Sequence, residues 1–319
     1  MPTQPPVRIG ARGSKLSLAQ AGQMQRRIAA ALGAAPEDAE KVAPLIVITT
    51  SGDRIQDRRL LEIGGKGLFT KEIEEAMLEG RIDCAIHSMK DVPAVLPEGL
   101  TIAAIPERED PRDAFLSRAY ESIDQLPEGA RLGTASLRRQ AQALHRRPDL
   151  DVVMLRGNVD TRLAKLEAGE ADAILLALSG LRRLGLGDRP NSLLDPVEQP
   201  PAPGQGALAI ETRLEDMDAP WVRALRDAPT TLAVAAERGA LFALEGSCRT
   251  PIGAFARFDG GRLLLTVEAL SPDGKLRFRK EGYAELSQAA DQEQAARELG
   301  LSLGEAVRLE AGHAIRLDG

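Results

Sequence analysis

A short pattern of elements occurs twice in this chain, and its repetition limits the fold more than any other feature. RIGARGSKLSLAQA at 8–21 reads as a strand, a Gly/Ser turn and a helix; RLGTASLRRQAQAL at 131–144 repeats strand, glycine, serine and helix. A second echo follows each copy. LEGRIDCAI places Gly80 and Asp83 ahead of a strand, and LEAG before ADAILLAL places Gly169 and Asp172 at the same spacing. Two matches in the same order predict two similar α/β domains. Strands alternating with helices predict mainly parallel sheets, and a ligand cleft is expected between the domains.

The 319 residues allow two or three domains of roughly 100–200 residues each. Pro-rich crossings at 106–113 (PEREDPRD) and 189–206 (RPNSLLDPVEQPPAPGQG) suit neither helix interiors nor central strands. They divide the chain into a first domain of 1–106 plus about 206–224, a second of 112–200 and a third of 228–319. In the third, a helix (TTLAVAAERGALFAL) precedes three strand-like runs, IGAFARF, RLLLTVEAL and LRFRKEGYA, separated by DGG and SPDGK turns and followed by terminal helices.

Charge is uneven. Residues 131–183 hold ten Arg/Lys against six Asp/Glu, so this stretch carries +4 and the remainder −10. A local basic field in an acidic protein points to a small anionic ligand; nucleic acid would call for a broad basic face, and base stacking for more than 3% aromatic residues. Cys84 and Cys248 form no disulfide framework, and His87, His145 and His313 have no zinc spacing, so a metal-free site is expected. No apolar run reaches membrane-spanning length and the N-terminal residues show no signal or transit pattern, so a cytoplasmic protein is expected.

Arg138, Arg139, Arg156, Arg162 and Arg183 each fall near a predicted strand-to-helix or loop-to-helix junction. Free N–H groups and the helix dipole favour anions there, and guanidinium can clamp a carboxylate or phosphate in bidentate fashion. Any one of them could be a surface ion-pair partner; five at repeated junctions favour a polyanionic ligand. Ser88-Met89-Lys90-Asp91 follows an apolar strand at the sheet end where α/β proteins bind ligands, and Asp91 could act as acid, base or counter-ion. Cys248 lies in the Gly-flanked loop LEGSCRTPIG beside Arg249, which favours an accessible thiolate, whereas Cys84 suits a buried strand. GGKGLF at 64–69 is not a P-loop, because Gly67 follows the lysine.

GGKGLFTKE, HSMKDVP, GTASLRRQ, LRGNVDTRLAKL, PAPGQGAL and LEGSCRTPIG form an ordered set found in porphobilinogen deaminases, and the chain resembles that family from about Arg8 onward. The resemblance implies two periplasmic-binding-protein-like α/β domains forming a cleft, plus a smaller C-terminal α+β domain with a three-stranded antiparallel sheet. It implies a dipyrromethane cofactor held through a thioether to Cys248, with Asp91 as the catalytic group. It implies cofactor contacts from Lys66, Ser88, Lys90, Ser136, Arg138, Arg139 and Arg162, and substrate contacts from Arg12, Ser14, Arg156 and Arg183. The implied reaction joins four porphobilinogens head to tail with loss of ammonia and releases hydroxymethylbilane by hydrolysis. The enzyme is expected to be monomeric and to bind neither nucleic acid nor membrane. Each pyrrole brings an acetate and a propionate, which gives the arginines their purpose. Glu62 departs from the family pattern, which has lysine there; it is expected to turn outward toward Arg58 or Arg59 while Lys66 supplies the charge. A non-catalytic clamshell binder of small anions is the alternative, and would need neither Cys248 nor the third domain.

Overall fold

The computed structural model describes residues 5–51, 70–93, 95–244 and 250–315. The expectations for Glu62, Lys66 and Cys248 lie outside these residues. The chain divides into two compact units, one up to Arg108 plus Ala207–Thr231, the other Glu109–Gly206 plus Leu232 onward.

In the first unit, β1 (Ile9–Ala11), α1 (Lys15–Ala31), a short α2 (Ala39–Val42), β2 (Leu45–Val47), α3 (Lys71–Leu78), β3 (Cys84–Ser88) and β4 (Leu100–Ala104) are joined late by β10 (Leu208–Arg213). Sheet order is β2-β1-β3-β10-β4. β1 pairs parallel with β2 and β3, and β10 runs antiparallel between β3 and β4.

The second unit repeats this plan with β5 (Asp113–Ser117), β6 (Arg131–Gly133), α4 (Leu137–Arg146), β7 (Asp151–Val153), α5 (Val159–Glu167), β8 (Ala173–Ala177), α6 (Leu178–Arg183) and β9 (Ser192–Leu193). Its order is β7-β6-β8-β5-β9, again with three parallel strands and an antiparallel strand fourth in line.

The two sequence echoes have matching structural causes. Ser14 and Ser136 are the N-caps of α1 and α4, their hydroxyls accepting from the N–H groups of Ser17 and Arg139. Gly80 and Gly169 end α3 and α5 at φ +70° and +75°, where a side chain would be strained. Asp83 and Asp172 each take the N–H of the arginine that opens the neighbouring strand, Arg8 and Arg131, at 2.8 Å, and return their own N–H to that arginine's carbonyl, also at 2.8 Å. Side-chain alternation sorts each sheet's core by face. Cys84 and Ile86 pack with Met24 and Ile28 of α1, and Ala85 with Ile73 and Met77 of α3.

After α7 (Pro220–Arg223) and α8 (Ala228–Ala243), the second unit is completed by the antiparallel sheet β11 (Ile252–Asp259), β12 (Arg262–Leu270), β13 (Arg277–Ala284) and by α9 (Gln292–Ala311). Both turns of this sheet are set by glycines at positive φ, Gly260 and Gly261 in one and Gly274 in the other. Where several terminal helices were expected, the described residues form one 20-residue helix. No helix among the described residues is long and apolar enough to cross a membrane.

Candidate functional site

In the first unit, β1 and β3 are parallel neighbours, so their carboxyl ends share one edge. Arg12 and Ser14 follow β1 there, and Ser88, Lys90 and Asp91 lie at the end of β3. Gln20 of α1 ties the two loops by donating to Ser88 Oγ at 3.0 Å, and Ser17 Oγ accepts the Arg12 N–H at 3.1 Å. Met89–Asp91 form a single 3-10 turn, pinned by Met89 N–H on Ala207 O at 3.0 Å, which leaves Asp91 exposed at the sheet end. Behind it the strand is buried. His87 Nε2 lies 2.8 Å from Glu211 Oε2, and Cys84 is fully buried with its thiol pushed up by desolvation, a poor nucleophile.

In the second unit, the carboxyl ends of β6, β7 and β8 share one edge, and all five arginines follow them. Arg138 and Arg139 lie in the first turn of α4, Arg156 in the loop before α5, and Arg162 near the start of α5, which is capped by Asn158. Arg183 differs from expectation. It is the last residue of α6, whose C-terminal dipole end does not favour anions, because the helix starts directly after β8 and stops before Gly185 at φ +72°.

Arg162 is pushed down to about 10, first by burial and then by repulsion from Arg139 and Arg156, while its Nε donates to Gly157 O at 2.8 Å. Burial also lowers Arg183, whose Nη2 donates to Gly206 O at 2.8 Å. Arg156 Nη1, Arg183 Nε and Arg138 Nε are buried donors with no acceptor among the described residues. Crowded, half-desolvated guanidinium groups are an unfavourable arrangement that carboxylates would relieve.

Sequence reasoning missed what holds Arg138 and Arg139. Both are 5% exposed and converge on Asp113, Arg138 Nη1 at 2.7 Å from Oδ2 and Arg139 Nη2 at 2.7 Å from Oδ1, with Gln205 Nε2 at 2.8 Å from Oδ1. Burial alone would raise the Asp113 carboxyl, but the two guanidiniums outweigh it and hold the group far below the usual carboxylate range. Asp113 lies 25 residues before Arg138 at the start of an otherwise mostly apolar strand, and nothing local marks it.

The repeated sheet and the guanidinium-rich edge together define an α/β protein suited to a small polyanion. The chain belongs to the porphobilinogen deaminase family: the model for "Porphobilinogen deaminase, dipyromethane cofactor binding domain" matches residues 7–220 and that for "Porphobilinogen deaminase, C-terminal domain" matches 231–308. It is similar to the porphobilinogen deaminase of Phenylobacterium zucineum, 76% identical over 99% of this chain and 100% of that one. It is also similar to those of Caulobacter sp. strain K31, 72% identical over 98% of each, and Caulobacter vibrioides, 70% identical over 99% of each. Among solved structures, the methionine binding protein MetQ aligns over 73% of this chain and 94% of its own at 14% identity and a TM-score of 0.42, too slight a likeness to bear on function.

Proposed function

We propose that this chain joins four porphobilinogen molecules head to tail, with loss of ammonia, on a dipyrromethane primer carried by Cys248, and releases hydroxymethylbilane by hydrolysis for tetrapyrrole synthesis. The carrying observation is the arginine edge of the second unit, where Arg162 is depressed by burial and by its arginine neighbours while Arg156 and Arg183 keep buried donors without acceptors among the described residues. That donor set fits a group bearing several carboxylates. When bound, dipyrromethane supplies the nucleophilic pyrrole end to which substrate units are added.

The chain's own residues do the rest. Ser136, Arg138, Arg139, Arg162, Ser88, Lys90 and Lys66 would hold the primer's carboxylates. Arg156, Arg183, Arg12 and Ser14 would orient the incoming substrate. Arg138 and Arg139, already bound to Asp113, contribute through their remaining N–H groups and positive field. Asp91, exposed beyond β3, would hand a proton to the departing ammonia and receive the proton lost by the newly attached ring. This reading takes the chain as three domains, 1–106 plus about 206–224, 112–200 and 228–319, working as a cytoplasmic monomer without nucleic-acid or membrane partners.

Intact-mass spectrometry tests it directly. The purified protein should exceed its sequence mass by one dipyrromethane, and Cys248→Ser should lack the adduct. Active protein at the bare sequence mass would refute the covalent primer, and inactive protein at that mass would favour the non-catalytic clamshell binder.

A further inference from the structure

The arginine helix α4 rests on the C-terminal sheet at two places. Gln142, one turn after Arg138, accepts from Arg138 Nη1 at 2.8 Å and donates through Nε2 to Glu268 Oε1 at 3.0 Å and Pro200 O at 2.9 Å. Glu268 is a residue of β12, 1% exposed, paired through its other oxygen with Arg277 of β13. Near the end of α4, His145 Nδ1 lies 2.9 Å from Gly274 O in the β12–β13 turn. The approach there is so close that a Cβ on Gly274 would stand 2.5 Å from Ala141 O and 2.6 Å from His145 N, and its φ of +74° already disfavours any other residue.

These contacts form a continuous buried path from Glu268 through Gln142 to Arg138, and from Arg138 through Asp113 to Arg139. Arg138 directs a single nitrogen, Nη1, at three acceptors, Asp113 Oδ2, Gln142 Oε1 and Pro200 O. Its rotamer therefore depends on where Gln142 is held, and Gln142 is held by Glu268. We propose that Glu268 is a positioning residue for the primer-holding arginines Arg138 and Arg139, and that the Gly274 turn sets the seat of α4 on which their aim depends. The inference rests on the reading that the arginine edge binds pyrrole carboxylates.

The test measures primer occupancy by intact mass, and kcat and KM for porphobilinogen in the primer-loaded fraction, beside melting temperature. Glu268→Ala removes the acceptor that holds Gln142, and Gly274→Ala pushes on the α4 backbone; each should lower primer occupancy and, in the loaded fraction, lower kcat on the order of tenfold with a smaller change in KM, the size expected for a misplaced reacting end. Glu268→Gln keeps an acceptor oxygen and should restore both. Leu265→Ala, in the same strand and 1% exposed, lowers the melting temperature through a cavity in the C-terminal core without touching α4, and should leave occupancy and kcat unchanged. Normal occupancy and kcat in Glu268→Ala and Gly274→Ala, or an equal loss in Leu265→Ala, would overturn the proposal. An Arg162→Leu arm separates the two readings: unchanged occupancy and kcat there remove the carboxylate reading itself, whereas a loss there with normal values in Glu268→Ala removes only the positioning role.

Discussion

Asn in place of Asp91 is expected to lower turnover by at least about 10²–10⁴-fold, the usual loss when an acid–base group is removed. The local frame gives the substitution little else to change. Asp91 is exposed, ends a 3-10 turn held by Met89 N–H on Ala207 O, and follows a strand paired on both sides in the middle of its sheet. Asn has nearly the same shape, so the turn and primer retention should survive while the charge and the proton site are lost. Ammonia release at saturating porphobilinogen measures turnover, and intact mass reports whether the primer is still present. Turnover within tenfold of the unmodified enzyme, with the primer in place, would remove Asp91 from the chemistry.

Asp113→Ala should produce the largest loss of stability. Asp113 is buried between Arg138 and Arg139, and removing it strands two guanidiniums in the interior, a change that costs about 3–5 kcal/mol in comparable buried pairs. For a unit of this size that is a fall in Tm of roughly 6–20 °C, readable by calorimetry. The pH dependence has a definite sign. Because the folded carboxyl is held far below its unfolded value, its stabilisation is complete above the unfolded carboxylate range and is lost as pH falls below about 4 toward the folded value. Between about pH 5 and 8 this group contributes no slope. The variant should therefore melt early at neutral pH and lose less than the parent on acidification. A Tm within about 3 °C of the parent would show that the arginines find other partners.

The fold was legible because its signals are local. Ser14 and Ser136 announce helix starts, Gly80 and Gly169 announce helix ends, and Asp83 and Asp172 recur because each must satisfy the N–H of a strand-opening arginine one crossover away. Asp91 at a strand end was visible for the same reason. Other features depend on contacts that sequence spacing does not carry. Asp113 meets residues 25, 26 and 92 positions away, and Glu268 meets Gln142 across 126. The return of about 206–224 to the first domain was readable, but the placing of β10 antiparallel between β3 and β4 was not, because that pairing spans the whole Arg-rich unit. Arg183 was misplaced because a six-residue helix begins without a side-chain cap directly after β8, and its run of leucines continues that of the strand.

The late entry of β10 has a consequence for the order in which the chain can fold as it leaves the ribosome. Among the described residues β4 has no sheet neighbour except β10, and β3 has β10 along one whole side, so the first sheet stays open at its centre until residue 213 has emerged. Among the described residues, the strands of the second five-stranded sheet all come from residues 113–193, and its pairing closes without β10. The part of the chain made first is thus the later of the two to finish. Through some hundred residues of synthesis its half-built sheet presents an unpaired edge, the state in which an α/β chain is most exposed to aggregation and to holdase chaperones.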